Sequence, residues 1–359
     1  MTPELESGAR NLLLQCADVK TGERLLLIGE KGLHPFFDYR LCDVVAEVAR
    51  SLQIDTTVHL AVPGTDASEF PESVSNAMQN ADVTIFFSRL GDQVRFIDSA
   101  GPGRKIMTYT LTLDHLESKF STFDFQLMKQ IHDTLLEEVK ASKTYLIESD
   151  NGTSLKANVS QISGSSQVVV SEFSLELFPV MIFPPLNFSN LNGQLVMEHF
   201  LLSSSTRTYE DSELHLDSPV TAVIEDSRMV DFKGNNQLID KLKMQLIRAA
   251  AITGGDPYRL NSWHTGINPY TFYDSDPFSN LERWGTVAYG SPRYTHIHAS
   301  GKDPGDISIQ LFDASITFDD KRFWEQGKFI YLDQPEIQSI FSHSIHAAPD
   351  SSTRLSIGL

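Results

Sequence analysis

His264, His296, His298 and Asp313 are the residues of this chain whose types and spacing suit chemistry. His264 stands just before a Gly-Ile-Asn-Pro turn. His296 and His298 alternate on a segment patterned as a strand, 294–299, that ends at Ser300-Gly301. Asp313 falls inside a second apparent strand, 307–318. Residues i and i+2 of a strand share a face, so His296 and His298 are expected on one side. Two imidazoles and a carboxylate from three segments, His264, His298 and Asp313, form a set that suits a non-haem metal, Fe or Zn.

Each of these residues also has a plainer reading. A strand histidine commonly bonds to backbone. A buried carboxylate without a metal needs a cation or donors, which puts Asp313 beside an arginine. The aromatic group around the histidines, including Trp263, Tyr270, Phe272 and Trp284, either lines a cleft with few polar groups or packs a core. His343 and His346 read as a solvated pair in a polar tail. Nucleophile chemistry has little support: there is no Gly-x-Ser-x-Gly, and neither Cys16 nor Cys42 has a suggestive histidine context.

Positioning these residues takes a substantial scaffold, and 359 residues suffice for about two domains. The formal charge of −18 argues against nucleic acid, whose affinity comes largely from Lys and Arg on phosphate, and against an anionic membrane surface. Cys16 and Cys42 sit in apolar helical patterns and read as two buried free thiols. No secretory or membrane-spanning pattern is found, so a reducing cytoplasm is the expected compartment.

Along the first 145 residues, strands alternate with helices. Arg24 to Gly29 is continuously apolar after its first residue, as in a parallel strand covered on both faces. Leu41, Val44, Val45, Val48 and Leu52 follow helical spacing. Further strands are expected at 55–62, 82–87 and 105–109, and a long helix at 123–142. That alternation means a parallel α/β domain. From residue 146 the texture becomes short strands with polar turns, at 155–159, 168–173, 194–202, 218–225 and 228–232. One helix interrupts them at 236–252, capped by Asn235 or Asn236. The expected fold class is therefore α/β plus α+β: a parallel N-terminal domain, 1–145, and a mainly antiparallel C-terminal domain, 146–359.

Several short motifs carry a family resemblance. They are Thr21-Gly22-Glu23, Ala81-Asp82-Val83, Phe183-Pro184-Pro185, Asn192-Gly193-Gln194-Leu195-Val196, Val230-Asp231-Phe232-Lys233-Gly234, His264-Thr265-Gly266-Ile267-Asn268-Pro269 and the His-Ile-His-Ala-Ser-Gly segment. In their order the chain resembles the aminopeptidase T group of metallo-aminopeptidases and the 2,5-dihydroxypyridine dioxygenases that share their fold. The resemblance implies an active site in the C-terminal domain near the cleft, and a homodimer. In the dioxygenase branch it implies an iron held by a histidine before the Gly-x-x-Pro turn and by a later His-x-Asp. His264 matches the first ligand and Asp313 the last. Leu311 stands where the middle histidine belongs, and Arg89 or Leu90 stands where a further histidine is expected. Of the aminopeptidase ligands, only Glu282 and Tyr294 are candidates.

Two functions follow from that partial match. One is a catalytically degenerate member, without cofactor, that binds a peptide or small aromatic ligand in the interdomain cleft through Trp263, His264, Tyr270, Phe272, Trp284, Tyr294 and His296. Its analogy is with proteins of peptide natural-product pathways. The other is a metal-dependent enzyme, a ring-cleaving dioxygenase or an aminopeptidase, with a rearranged His264/His298/Asp313 triad.

Overall fold

The computed structural model describes residues 1–359 except 33–35, 63–69, 95–100, 160–174, 205–208, 210, 303–304, 343 and 345. Two compact units divide the chain: 1–129 with 173–181, and 130–172 with 182–359. A boundary at 145–146 was expected; the division falls instead within the helix Phe125–Ala141, and a short segment returns to the first unit.

The first unit is built on a parallel sheet. Its strands are β1 (Arg24–Glu30), β2 (Asp55–Ala61), β3 (Val83–Phe87) and β4 (Arg104–Thr108). Next in the chain come β5 (Thr144–Glu148) and β6 (Ser154–Val159), which belong to the second unit. β7 (Glu176–Phe178) returns to the first sheet, whose order is β2-β1-β3-β4-β7 with every pairing parallel. The apolar runs Leu25–Ile28 and Val83–Phe87 are buried throughout, as helices on both faces require. At the ends of β1 and β3, Arg89 is held by Glu30, with Nε 3.1 Å from Oε1, and lies 4.6 Å over the Phe36 ring. Arg89, one of the two residues standing where a further histidine was expected, is thus in a largely buried ion pair. Cys16 and Cys42 are free and buried, and burial pushes the Cys42 thiol up to about 12.

The second unit is dominated by a large antiparallel sheet. Besides β5 and β6 it holds β8 (Leu186–Ser203), β9 (Leu214–Glu225), β10 (Arg228–Lys233), β11 (Leu260–Thr265), β12 (Tyr294–Ala299), β13 (Ile307–Phe312), β14 (Ser315–Phe318) and β15 (Lys321–Trp324). The long strand β8 is the hub. It pairs with β6, β9 and β13, and through Asn187 and Leu186 with Ser262 and Trp263 of β11. With β11–β12 and β12–β13 also paired, four strands close on one another. The helix Asn236–Thr253 lies where expected. The Asn235 side chain caps it by accepting from the N–H of Gln237 and Leu238.

Of the expected strands, one is not described and one is divided. The segment 168–173 lies outside the described residues. The strand expected over 307–318 is two strands, broken at Asp313, whose φ is 48°. Aspartate tolerates that left-handed conformation better than most residues, and its N–H is satisfied by the Arg293 carbonyl at 2.8 Å. Among the described residues no helix is long and apolar enough to cross a membrane.

Candidate metal centre

Strands β11 and β12 bring three histidines together. In their antiparallel register His264 is directly opposite His296, and Ser262 is opposite His298. Cross-strand neighbours of this kind have Cβ atoms about 4.5–5.5 Å apart. Period 2 then places His264, His296 and His298 on one face of the sheet. The His264 and His296 ring centroids are 3.9 Å apart, and each lies 5.2 Å from the His298 centroid. One nitrogen from each ring can be chosen so that all three lie within 4.8 Å of one another.

The turn after His264 is fixed by close backbone approach. A Cβ at Gly266 would lie 2.3 Å from backbone atoms of Gly290 and Ser291, so the glycine of His-Thr-Gly is a steric requirement. The Trp324 indole N–H donates to the Gly266 carbonyl at 3.0 Å.

Hydrogen bonds assign the protons on two of the rings. His264 Nδ1 is 3.0 Å from the Phe183 carbonyl oxygen. A carbonyl only accepts, so Nδ1 carries the hydrogen, and in the neutral ring Nε2 carries the lone pair. His298 Nδ1 faces the Asp306 carboxylate, 3.3 Å from Oδ2, which assigns its hydrogen in the same way. Asp306 is buried and also receives Ser204 Oγ and, at 3.5 Å, Asn261 Nδ2. With both Nδ1 atoms donating, His264 Nε2 and His298 Nε2 meet at 3.2 Å. His296 is buried, and burial first, then the neighbouring His264 and His298, hold its pKa well below the ordinary value. It is therefore a neutral imidazole. Its Nδ1 is sealed in without a hydrogen-bond partner.

Asp313 does not join this group. Arg293 Nε lies 2.9 Å from its Oδ1, and Arg354 binds the same carboxylate. Burial pushes the carboxyl up, but the two guanidiniums outweigh it and hold it below its ordinary value. The arginine-paired reading is the one observed. Leu311, in the place of the middle histidine, is fully buried and opposite Thr295, so it faces away from His296.

The aromatic residues divide between the faces. Trp263, next to His264, points to the other side and is fully buried against Tyr145, Phe183 and Phe318. Trp284 is fully buried, crosses Phe200 edge-on and donates its indole N–H to the Ile357 carbonyl at 2.7 Å. Tyr294 is fully buried and stacks on Tyr289 and His296, while Tyr289 itself stacks on His296 at 4.4 Å. Tyr270 and Phe272 are half-buried on the segment that follows His264. Glu282 lies on the helix Leu281–Ala288.

Two residues of the site went unnoticed in the sequence, Asp306 and Gln310. The second had a signal. In Ile307-Ser308-Ile309-Gln310-Leu311, polar residues occupy alternate positions of an otherwise apolar strand. The register sets Ser308 opposite His298 and Gln310 opposite His296, and both are buried. Asp306 had no comparable signal, because its role depends on a contact with His298 across a turn.

No protein-family model matches the sequence, and a search of curated proteins finds none similar. Among solved structures, the chain is similar to 2,5-dihydroxypyridine dioxygenase from Pseudomonas putida. The two align with a TM-score of 0.59 and 13% identity, over 93% of this chain and 98% of that one. AmpT from Thermus thermophilus aligns with a TM-score of 0.49 and 8% identity, over 91% and 99%. The first likeness establishes a shared fold at a distance and nothing finer. It agrees with the mixed architecture of a parallel sheet and a large antiparallel one.

Proposed function

We propose that this chain is a mononuclear metalloprotein in which His264, His296 and His298 hold one divalent transition metal, and that its function is a reaction at that ion. The observation that carries this reading is the 3.2 Å approach of His264 Nε2 to His298 Nε2. Both rings are oriented from behind, by Phe183 O and by Asp306. Carbonyl and carboxylate partners of this kind fix the tautomer of ligating histidines and raise their basicity. Two lone pairs at this distance repel unless a cation or a proton lies between them. Zinc–nitrogen bonds of about 2.0–2.1 Å at tetrahedral angles would separate neighbouring nitrogens by roughly 3.3 Å, close to the separation observed.

The donor set fits such an ion. Imidazole nitrogens suit zinc, iron, copper and nickel, and three protein ligands leave a coordination position open, as in catalytic zinc sites. An ion there would supply Lewis acidity, polarising a carbonyl or bringing the pKa of a coordinated water to about 7. The chain's own part is to orient His264 and His298 from behind, to keep His296 neutral and to shield the three rings largely from bulk water. The fold likeness to a dioxygenase supports metal chemistry only as analogy. This reading puts His296 where Asp313 was expected. A cofactor-free binding protein rested on a vacant ligand position at Leu311 and on aromatic anchors. Leu311 faces away from the histidines, and Trp263 and Trp284 are in the core.

Reconstitution tests the proposal. After anaerobic incubation with Zn²⁺ or Fe²⁺ and gel filtration, the wild-type protein should retain about one equivalent of one of them. His264→Ala and His298→Ala should each weaken retention by more than about 100-fold, beyond the 10–100-fold typical of losing a supporting contact. Asp313→Asn should leave it unchanged. Retention of no metal, with a proton shared between His264 and His298 by NMR, would overturn the proposal.

A further inference from the structure

The three histidines are not equally supported. His264 Nδ1 has the Phe183 carbonyl and His298 Nδ1 has Asp306, whereas His296 Nδ1 is sealed in without a partner. Gln310 is the residue directly opposite His296 across β12 and β13, and it is itself incompletely satisfied. Its Nε2 donates to the Ser308 carbonyl at 3.0 Å and lies 3.3 Å from Ser308 Oγ. Because the Ser308 carbonyl can only accept, the amide orientation is fixed, and Oε1 points away from it. That oxygen is buried and has no donor. A sealed ring nitrogen able to donate and a sealed carbonyl oxygen able to accept thus belong to two residues directly opposite each other in the register. Leaving both unpaired would forfeit their hydration with nothing in return, and buried polar groups are rarely left so.

Resting on the metal centre above, we infer that Gln310 is the positioning residue for His296. Its Oε1 accepts the His296 Nδ1–H, leaving Nε2 as the nitrogen turned to the ion. Each of the three imidazoles would then have Nδ1 held from behind, by a backbone carbonyl, a side-chain amide and a carboxylate in turn. All three would offer Nε2 to one point. The Tyr294 hydroxyl, another buried group, neighbours Gln310 and Ser308. A carbonyl oxygen has two lone pairs, so Oε1 can serve both donors.

Zinc titration of the full chain tests this inference. Gln310→Leu should weaken Zn²⁺ binding by about 10–100-fold, the usual effect of removing a contact behind a ligating histidine. Gln310→Glu, which keeps an acceptor for His296 but loses the donor to the Ser308 carbonyl, should bind Zn²⁺ more tightly than Gln310→Leu. A wild type that binds one zinc while Gln310→Leu binds equally well would overturn the inference and leave the metal centre standing. A wild type that binds no zinc would instead overturn the centre itself. Nitrogen-15 spectra of the zinc-loaded wild type give a second readout that a merely structural role would not move. The expected spectrum has His296 metallated at Nε2 with a slowly exchanging hydrogen on Nδ1. Metallation at Nδ1 would overturn the inference even if Gln310→Leu failed to fold.

Discussion

Trp263→Ala should destabilise the second unit by roughly 3–5 kcal/mol, the range for deleting a large buried aromatic. The indole is fully buried, 5.2 Å from the Tyr145 ring, 5.5 Å from Phe183 and 6.1 Å from Phe318 by centroid. Those neighbours come from three other segments of the sheet and its approach, so the cavity cannot close by a local shift. At about 2–4 °C per kcal/mol for a unit of this size, the melting temperature should fall by roughly 10 °C. Trp263→Phe, which refills much of the volume, should recover more than half of that loss. Zinc affinity of Trp263→Phe should stay near wild type, because residue 263 points to the face opposite His264. Urea denaturation with a parallel zinc titration checks both. A variant of normal stability that had lost a peptide or aromatic ligand would contradict this assignment and restore Trp263 as a binding anchor.

Leu311→His should be the second severe change. If position 311 were a vacant ligand position, restoring histidine there would raise metal affinity. The register predicts otherwise. Leu311 is opposite Thr295, on the face away from His296 and Gln310, and is fully buried. The substitution removes a buried leucine and places an imidazole opposite Thr295 on a fully buried face, where the Thr295 hydroxyl already donates to Thr265. A lost side chain of that size and an unpaired polar group should together cost roughly 3–5 kcal/mol. Soluble yield and urea midpoint should both fall, with zinc affinity no higher than wild type. A stable Leu311→His protein that bound zinc or iron more tightly would show that the strand register is wrong.

Much of the scaffold could be read from the chain because its signals are local. The run Leu25–Ile28 marks a strand buried on both faces, and Leu41, Val45 and Val48 mark one face of a helix; all are buried. The histidine pair on β12 was legible for the same reason, since two-residue spacing settles a shared face. Its partner across β11 was not, because cross-strand register depends on where each strand begins and ends. Asp313 shows the limit most sharply. Extending one strand through 307–318 kept it in line with the ligands. A single left-handed residue at that position ends β13 and sets the carboxylate against Arg293 and Arg354. Motif matching carried Leu311 and Asp313 into the site by their spacing, while Gln310, one residue away, is the member of that strand facing His296.

The central claim is that three imidazoles share one ion. X-ray absorption at the zinc edge, on the reconstituted full chain, tests it most directly. A light-atom shell at about 2.0–2.1 Å is expected, with outer-shell scattering that fits three imidazoles and one further oxygen. Loss of one imidazole from that shell is expected in His296→Ala. A zinc shell made mainly of carboxylate oxygens, one unchanged in His296→Ala, or no retained zinc or iron at all, would contradict it.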